Sequence, residues 1–396
     1  MYMLKYSIGI LYQRENNERI RQMKKLLSIL LAVLMIMTLA GCSSKEETPA
    51  GDNNTAANHK IAVITDVGQL MDGGFNQGTY EGAKAYADSK GYAFDYYQPA
   101  NGTDATDDDR INAMRQAIEG GAEVLVLPGF LQFNALDVVA AENPDVKFIF
   151  VDGWAIGKDN VAAITYHEEE SGYFAGYGAV KEGYTKLGGT FGGAGTNPAC
   201  NRFAYGYLQG ANDAAKELGI TVDAKISFLY GGGFSASPEL QSQISGWYND
   251  GTQVVFACGG SMLQSVKAAA NETADGMIIG VDTDQAAESD RVLTSAMKGL
   301  AVSVQKILAI WDEGNWDSIA DTAQNLGAAD DSTGLPTAEG SWRFKNWTLD
   351  EYNALFESVA NGTVTVKAET PADCSTADAW AKLTADLTSV NFTFEG

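Results

Sequence analysis

Short apolar runs alternate with stretches of helical periodicity along most of this chain, and the alternation starts afresh near its middle. The first block reads as strand 61–65, helix 76–90, strand 94–98, helix 110–119, strand 124–127, helix 134–142, and strands 148–151 and 161–166. The second reads as helix 169–181, strand 187–193, helix 200–218, strand 225–229, helix 238–249, strand 254–257, helix 262–271 and strand 277–281. Runs such as Val124-Leu125-Val126-Leu127 are apolar on both faces, as expected of parallel strands covered by helices on either side. Two such blocks predict an α/β protein with two doubly wound, parallel-sheet lobes. In sheets of this kind ligands sit beyond the carboxyl ends of the strands.

The N-terminal region carries different information. Met23-Lys24-Lys25, an apolar run over 26–39 and Ala40-Gly41-Cys42-Ser43-Ser44 have the layout of a secretory signal, too short for a comfortable bilayer span. Leu39-Ala40-Gly41-Cys42 resembles the bacterial lipobox, which makes Cys42 the expected diacylated residue and places the mature protein on the extracytoplasmic face of the cell membrane. Residues 1–41 are then an N-terminal extension plus the signal at 23–41, with Met23 the expected start, and 42–59 is a polar tether. Some 355 residues follow the signal, above the ~250–300 at which one core stops growing, in keeping with two lobes.

Composition narrows the function classes. Asp and Glu number 51 against 27 Lys and Arg, a net charge of −24, and no cationic cluster appears, so nucleic acid is excluded as a partner. Besides Cys42 there are Cys200, Cys258 and Cys374, widely spaced and without a Cys-x-x-Cys pair, so neither a zinc site nor a redox dithiol motif is indicated. One disulfide with a free thiol and three buried thiols both remain open. The two histidines, His59 and His167, are a poor basis for acid–base chemistry or metal ligation. No cofactor and no metal are expected.

Polar or glycine residues follow the strands at Asp66, Gly129, Asp152, Gly259-Gly260 and Asp282. Each alone is ordinary loop chemistry. Three Asp at equivalent points of two lobes suggest a site, because a carboxylate there is costly to desolvate unless something donates hydrogen bonds to it. Hydroxyl and N–H donors suit such a cleft, and anionic ligands do not. Gly73-Gly74-Phe75-Asn76-Gln77 brings an aromatic and an amide to a helix start, where Phe75 could instead be a hydrophobic staple and Asn76 a cap. Tyr230-Gly231-Gly232-Gly233-Phe234 offers a second aromatic on a glycine-rich loop, and two facing rings would stack a planar group. Lys298, just past another apolar run, reads either as a solvated lysine or as a donor to ligand oxygens.

Together the lipobox, Ile61-Ala62-Val63-Ile64-Thr65-Asp66, Asp72-Gly73-Gly74-Phe75-Asn76-Gln77-Gly78, Gly280-Val281-Asp282-Thr283-Asp284-Gln285 and Leu293-Thr294-Ser295-Ala296-Met297-Lys298 resemble the basic membrane protein family, the substrate-binding lipoproteins of nucleoside ABC transporters. The resemblance implies a periplasmic-binding-protein type I fold with three hinge crossovers. Lobe 1 would comprise 60–166 and 294–330 and lobe 2 would comprise 167–293, leaving 331–396 unassigned. It also implies a monomer that captures a nucleoside, a purine nucleoside first, and delivers it to an ABC transporter permease. Carried over by motif, Phe75 and Phe234 would sandwich the base, Asp66 and Asp152 would accept from its edge, Asp282 and Lys298 would hold the ribose, and Asn76 and Gly260 would complete the wall. Two departures stand out: Gly73-Gly74 where the family has Lys-Ser or a similar pair, and Ser235-Ala236-Ser237 after Phe234 where an acidic residue is common.

Two other readings share these features. A sugar or autoinducer-type ligand would use the same stacking and carboxylates. An exported nucleoside hydrolase would use Asp282-Thr283-Asp284 to activate water or hold calcium, although no histidine lies nearby in sequence. The binding protein, not an enzyme, is the expectation.

Overall fold

Two parallel sheets, each flanked by helices, carry the chain in the computed structural model, which describes residues 59–67 and 69–396. The signal segment, Cys42 and nearly all of the tether lie outside the described residues. The first sheet is built from β1 (Lys60–Ile64), β2 (Ala93–Tyr97), β3 (Val124–Pro128), β4 (Lys147–Val151), β5 (Val161–Tyr166) and β11 (Ala323–Leu326), in the order β11-β5-β4-β3-β1-β2. All of its pairings are parallel. Helices α1 (Phe75–Lys90), α2 (Asp107–Glu119), α3 (Phe133–Glu142) and α8 (Leu300–Asp312) cover it. Its inner strands are buried on both faces, as their unbroken apolar sequences require.

The second sheet runs β12-β10-β9-β8-β6-β7-β13, from β6 (Lys186–Phe191), β7 (Val222–Ser227), β8 (Val254–Cys258), β9 (Met277–Asp282), β10 (Val292–Lys298), β12 (Thr333–Gly334) and β13 (Val390–Phe394). Only β12 is antiparallel to its neighbour. Its helices are α4 (Glu168–Glu182), α5 (Pro198–Leu218), α6 (Pro238–Asn249), α7 (Met262–Asn271), α9 (Leu349–Ala360) and α10 (Ala377–Leu383). The chain crosses between sheets three times: from β5 into α4, from β10 into α8, and from β11 to β12.

Two boundaries differ from the sequence reading. β10 pairs with β9, so residues 294–298 belong to the second lobe and the crossing follows Lys298, not Thr294. The apolar residues of 292–298 cannot by themselves say which of two similar sheets they complete. The unassigned segment from 331 onward also joins the second lobe: β12 pairs with β10, β13 pairs with β7, and Trp347 and Trp380 are buried in that lobe's core. The expected strand 225–229 is shifted toward the N-terminus as β7, leaving Leu229 exposed beyond the sheet.

One packing feature positions charges. A Cβ built on Gly176 would lie 2.0 Å from the carbonyl oxygen of Tyr207, and one on Gly206 would lie 2.0 Å from that of Glu169. Only glycine lets α4 and α5 touch backbone to backbone, and this closeness brings Glu168 of α4 within 2.6 Å of the Arg202 guanidinium of α5.

Candidate functional site

The carboxyl ends of both sheets open onto one cleft of about 870 Å³. Asp66, Phe75, Asn76 and Asp152 line it from the first lobe, and Phe234, Gly260, Asp282 and Lys298 from the second. The fold therefore gathers all eight residues singled out from sequence into one crevice.

At its base Lys298 is surrounded by carboxylates. Its Nζ donates to Asp152 Oδ2 at 2.6 Å and lies 3.3 Å from Glu168 Oε1 and 3.9 Å from Asp282 Oδ1. The ammonium also stands 5.0 Å above the Phe75 ring, 5.4 Å from that of Tyr166 and 5.6 Å from that of Phe203. Burial lowers the affinity of this amine for its proton, but attraction to Asp152, Glu168 and Asp282 outweighs it, so Lys298 is held charged well above the usual lysine range. Lys298 is thus no solvated surface lysine. It also joins the lobes, because Asp152 follows β4 of the first sheet and Lys298 ends β10 of the second.

Burial dominates the carboxylates. Asp282 is pushed up to about 7 by desolvation, against the pull of Lys298, and Asp66 is pushed up to about 7 by desolvation, against the Arg110 guanidinium 3.4 Å away. Asp152 is likewise raised by burial, and its Oδ1 is buried without a hydrogen-bond partner. A buried acceptor left open in a cleft is a place for a donor from outside the protein. Asp152 (φ 57°), Phe234 (φ 54°) and Asp282 (φ 66°) all adopt left-handed backbone, which ordinary residues disfavour and which clusters at functional sites.

The aromatics serve two purposes at once. Phe75 packs partly on the first lobe's core and Phe234 partly on the second's, while both present surface to the cleft. Phe234 is seated on glycine: a Cβ on Gly192 would lie 2.4 Å from its ring, and one on Gly260 would lie 2.4 Å from its carbonyl oxygen. The first turn of α1 is capped not by Asn76 but by Asp72, whose carboxylate accepts from the backbone N–H of Gly74 (2.9 Å), Asn76 (3.1 Å) and Gln77 (3.2 Å). Asn76 instead donates to Val67 O at 3.0 Å and accepts from Asp66 N at 3.4 Å, so its amide braces the loop that presents Asp66. The Gly73 carbonyl, in turn, accepts from Thr283 Oγ1 and Gln285 Nε2, both at 2.8 Å, a second tie between the lobes.

Sequence reasoning missed Glu168, Arg202, Arg110 and Asp72. Three consecutive acids, Glu168-Glu169-Glu170, directly after a buried strand were a usable signal, since capping one helix does not require three. The two arginines lie inside amphipathic helices and carry no spacing signature. Asp284, the second acid of the supposed calcium or water-activating pair, does not line the cleft and binds the Ala286 N–H and the Ser341 hydroxyl. Among the described residues no group of three or more His, Cys, Asp or Glu could hold a metal ion, and no helix is long and apolar enough to cross a membrane.

Comparison with known proteins agrees with this architecture. The model of a family described as ABC transporter substrate-binding protein, PnrA-like, matches residues 59–340. The ABC transporter nucleoside-binding protein BmpA of Lactococcus lactis is 27% identical over 329 residues, covering 78% of this chain and 90% of its own. Basic membrane protein A of Borreliella burgdorferi is 27% identical over 281 residues, covering 69% and 76%. An ABC transporter solute-binding protein from Aeropyrum pernix superposes with a TM-score of 0.61 at 21% identity, covering 83% of this chain and 90% of that one, a likeness of fold.

Proposed function

Since the chain belongs to the PnrA-like family of ABC transporter substrate-binding proteins, we propose that it captures a nucleoside, a purine nucleoside first, between its two lobes. The observation that carries this reading is the cleft itself, with one phenylalanine from each lobe above a base of buried carboxylates around a single lysine. A heterocyclic ring stacks on phenyl faces, worth roughly 1–3 kcal/mol per ring by analogy with bases on aromatic platforms. Ring N–H and sugar hydroxyl groups supply donors to Asp66, Asp282 and Asp152, whose Oδ1 is buried without a partner, and Lys298 donates to a sugar oxygen. The nucleoside named in the Lactococcus relative's description supports the same ligand class. A phosphate would meet the carboxylates and be repelled, which favours nucleosides over nucleotides.

Capture is coupled to delivery. Closure on the ligand is favoured because only the closed form contacts it from both lobes, and that form is the one an ABC permease distinguishes. The protein works as a monomer held to the membrane by lipidated Cys42; a diacyl anchor is durable where a single chain is not. Isothermal titration with adenosine, guanosine, inosine, uridine and ribose tests the ligand. Heat with a purine nucleoside is expected, whereas silence with every nucleoside alongside tight binding of the free sugar would reject the reading. For the anchor, Cys42→Ser is expected to move the protein from the membrane fraction to the medium or periplasm, and retention in the membrane would reject lipidation.

A further inference from the structure

Two of the three cysteines among the described residues meet in the wall of the cleft. Cys258 ends β8, Cys200 lies in the first turn of α5, and both line the cavity from within the second lobe's core. All three thiols are free, and the Cys258 and Cys200 side chains neighbour one another in the cleft wall and the core cluster behind it. Asn197 Oδ1 accepts from the Cys200 N–H at 3.0 Å, pinning that residue in the first turn of α5. Burial holds the Cys258 thiol well above its usual range, and Cys200 is the more accessible of the two, 6% exposed against 1%, so attack begins at Cys200. Cys374 stands apart, donating to Pro371 O at 3.4 Å.

We propose that Cys200 and Cys258 form a redox-responsive pair which a low-molecular-weight disulfide oxidises to an intramolecular bond, reshaping the ligand cleft. The Cys200 thiolate attacks one sulfur of RSSR, forming a mixed disulfide and expelling one RS⁻. Cys258 gives up its proton, attacks the Cys200 sulfur and expels the second. The cysteine pair loses two electrons, RSSR gains them, and the two released protons convert both leaving thiolates to RSH.

Bond formation draws the two neighbouring sulfurs to about 2.05 Å, pulling the start of α5 toward the end of β8. Gly259 and Gly260, which abut Phe234, follow Cys258 directly in the chain. Phe203, whose ring is 5.6 Å from Lys298 Nζ, lies one turn beyond Cys200. A close-packed wall responds to such a pull by displacing side chains, so both the aromatic seat and the charged base of the cleft shift. Weaker nucleoside binding on oxidation rests on the function proposed above; formation of the bond does not.

The test incubates the reduced full chain with oxidised glutathione, alkylates the remaining thiols and maps the digest by mass. The expected result is a peptide linking Cys200 to Cys258, with Cys374 alkylated, in wild type and in Cys374→Ser. Adenosine affinity is expected to fall about tenfold on oxidation, to return with dithiothreitol, and to be insensitive to the oxidant in Cys258→Ser. A glutathione adduct without the cross-link, a link through Cys374, or cross-linked protein that binds adenosine as tightly as the reduced form overturns the proposal. If reduced protein binds no nucleoside, the proposed function fails on its own, and the presence or absence of the mapped cross-link still decides the thiol chemistry.

Discussion

Lys298 is the residue on which the cleft's electrostatics turn, because its one positive charge answers Asp152, Glu168 and Asp282 together. Lys298→Met retains most of the packing volume and leaves those buried acids without their common partner. Breaking a buried ion pair from one side costs about 3–5 kcal/mol, so urea unfolding of the variant should show a loss of that order, and nucleoside titration should give no heat. Stability equal to wild type would mean that the acids are neutral in the folded protein and that the charged cluster described above is wrong. Gly192 offers a gentler probe, since its missing side chain is the space the Phe234 ring occupies. Gly192→Ala should displace the ring at a stability cost of about 1–3 kcal/mol and weaken nucleoside binding by more than it weakens the fold. Unchanged affinity in a folded variant would remove Phe234 from the ligand's contacts.

At the level of elements, the region beyond residue 340 extends past the family match and braces the cleft from behind. The Cys374 N–H donates to Gly195 O at 2.8 Å, the same carbonyl accepts from Asn201 Nδ2 at 3.0 Å, and the Trp380 indole N–H holds Cys374 O at 2.7 Å. The turn so pinned runs through Gly192 and Gly193, where Phe234 rests, and Trp380 stacks on Phe228 with centroids 5.9 Å apart. Trp380→Ala removes a fully buried indole and should cost about 3–5 kcal/mol in chemical denaturation. Trp380→Phe keeps most of the ring and loses only the hydrogen bond to Cys374 O, so its main effect should be on nucleoside affinity rather than on the unfolding midpoint. An unaltered affinity in Trp380→Phe would reduce the segment to a cover for the edge of β7.

For the whole molecule, stability and binding should respond to pH in opposite senses. Asp66 and Asp282 have folded pKa values near 7 against an ordinary 3.8, so between these values the folded protein holds more protons than the unfolded chain. Their contribution to stability is therefore full below about pH 4 and declines as pH rises toward 7. A ligand that donates hydrogen bonds needs the ionised carboxylates, so nucleoside affinity should strengthen as pH climbs through 7. Titrations at about pH 6 and about pH 8 measure this directly, with Asp66→Asn expected to bind weakly at both. An affinity that is flat or falling across that interval would show that the acids do not meet the ligand as anions.

The chain's local pattern determined the architecture, since unbroken apolar strands separated by helices have few ways to bury both faces and parallel two-lobed sheets are one of them. It also determined which residues stand at strand ends, and Asp66, Asp152 and Asp282 all reached the cleft for that reason. What it could not determine was membership and partnership. Whether 292–298 completes the first sheet or the second depends on neighbours far away in sequence, and β10 took its place beside β9. Glu168 and Arg202 meet because Gly176 and Gly206 let α4 and α5 touch, and Asn76 became a brace because Asp72 had already capped the helix. Periodicity is a property of a segment and survives being read one segment at a time; a buried charge is defined by what surrounds it, which only the folded chain supplies.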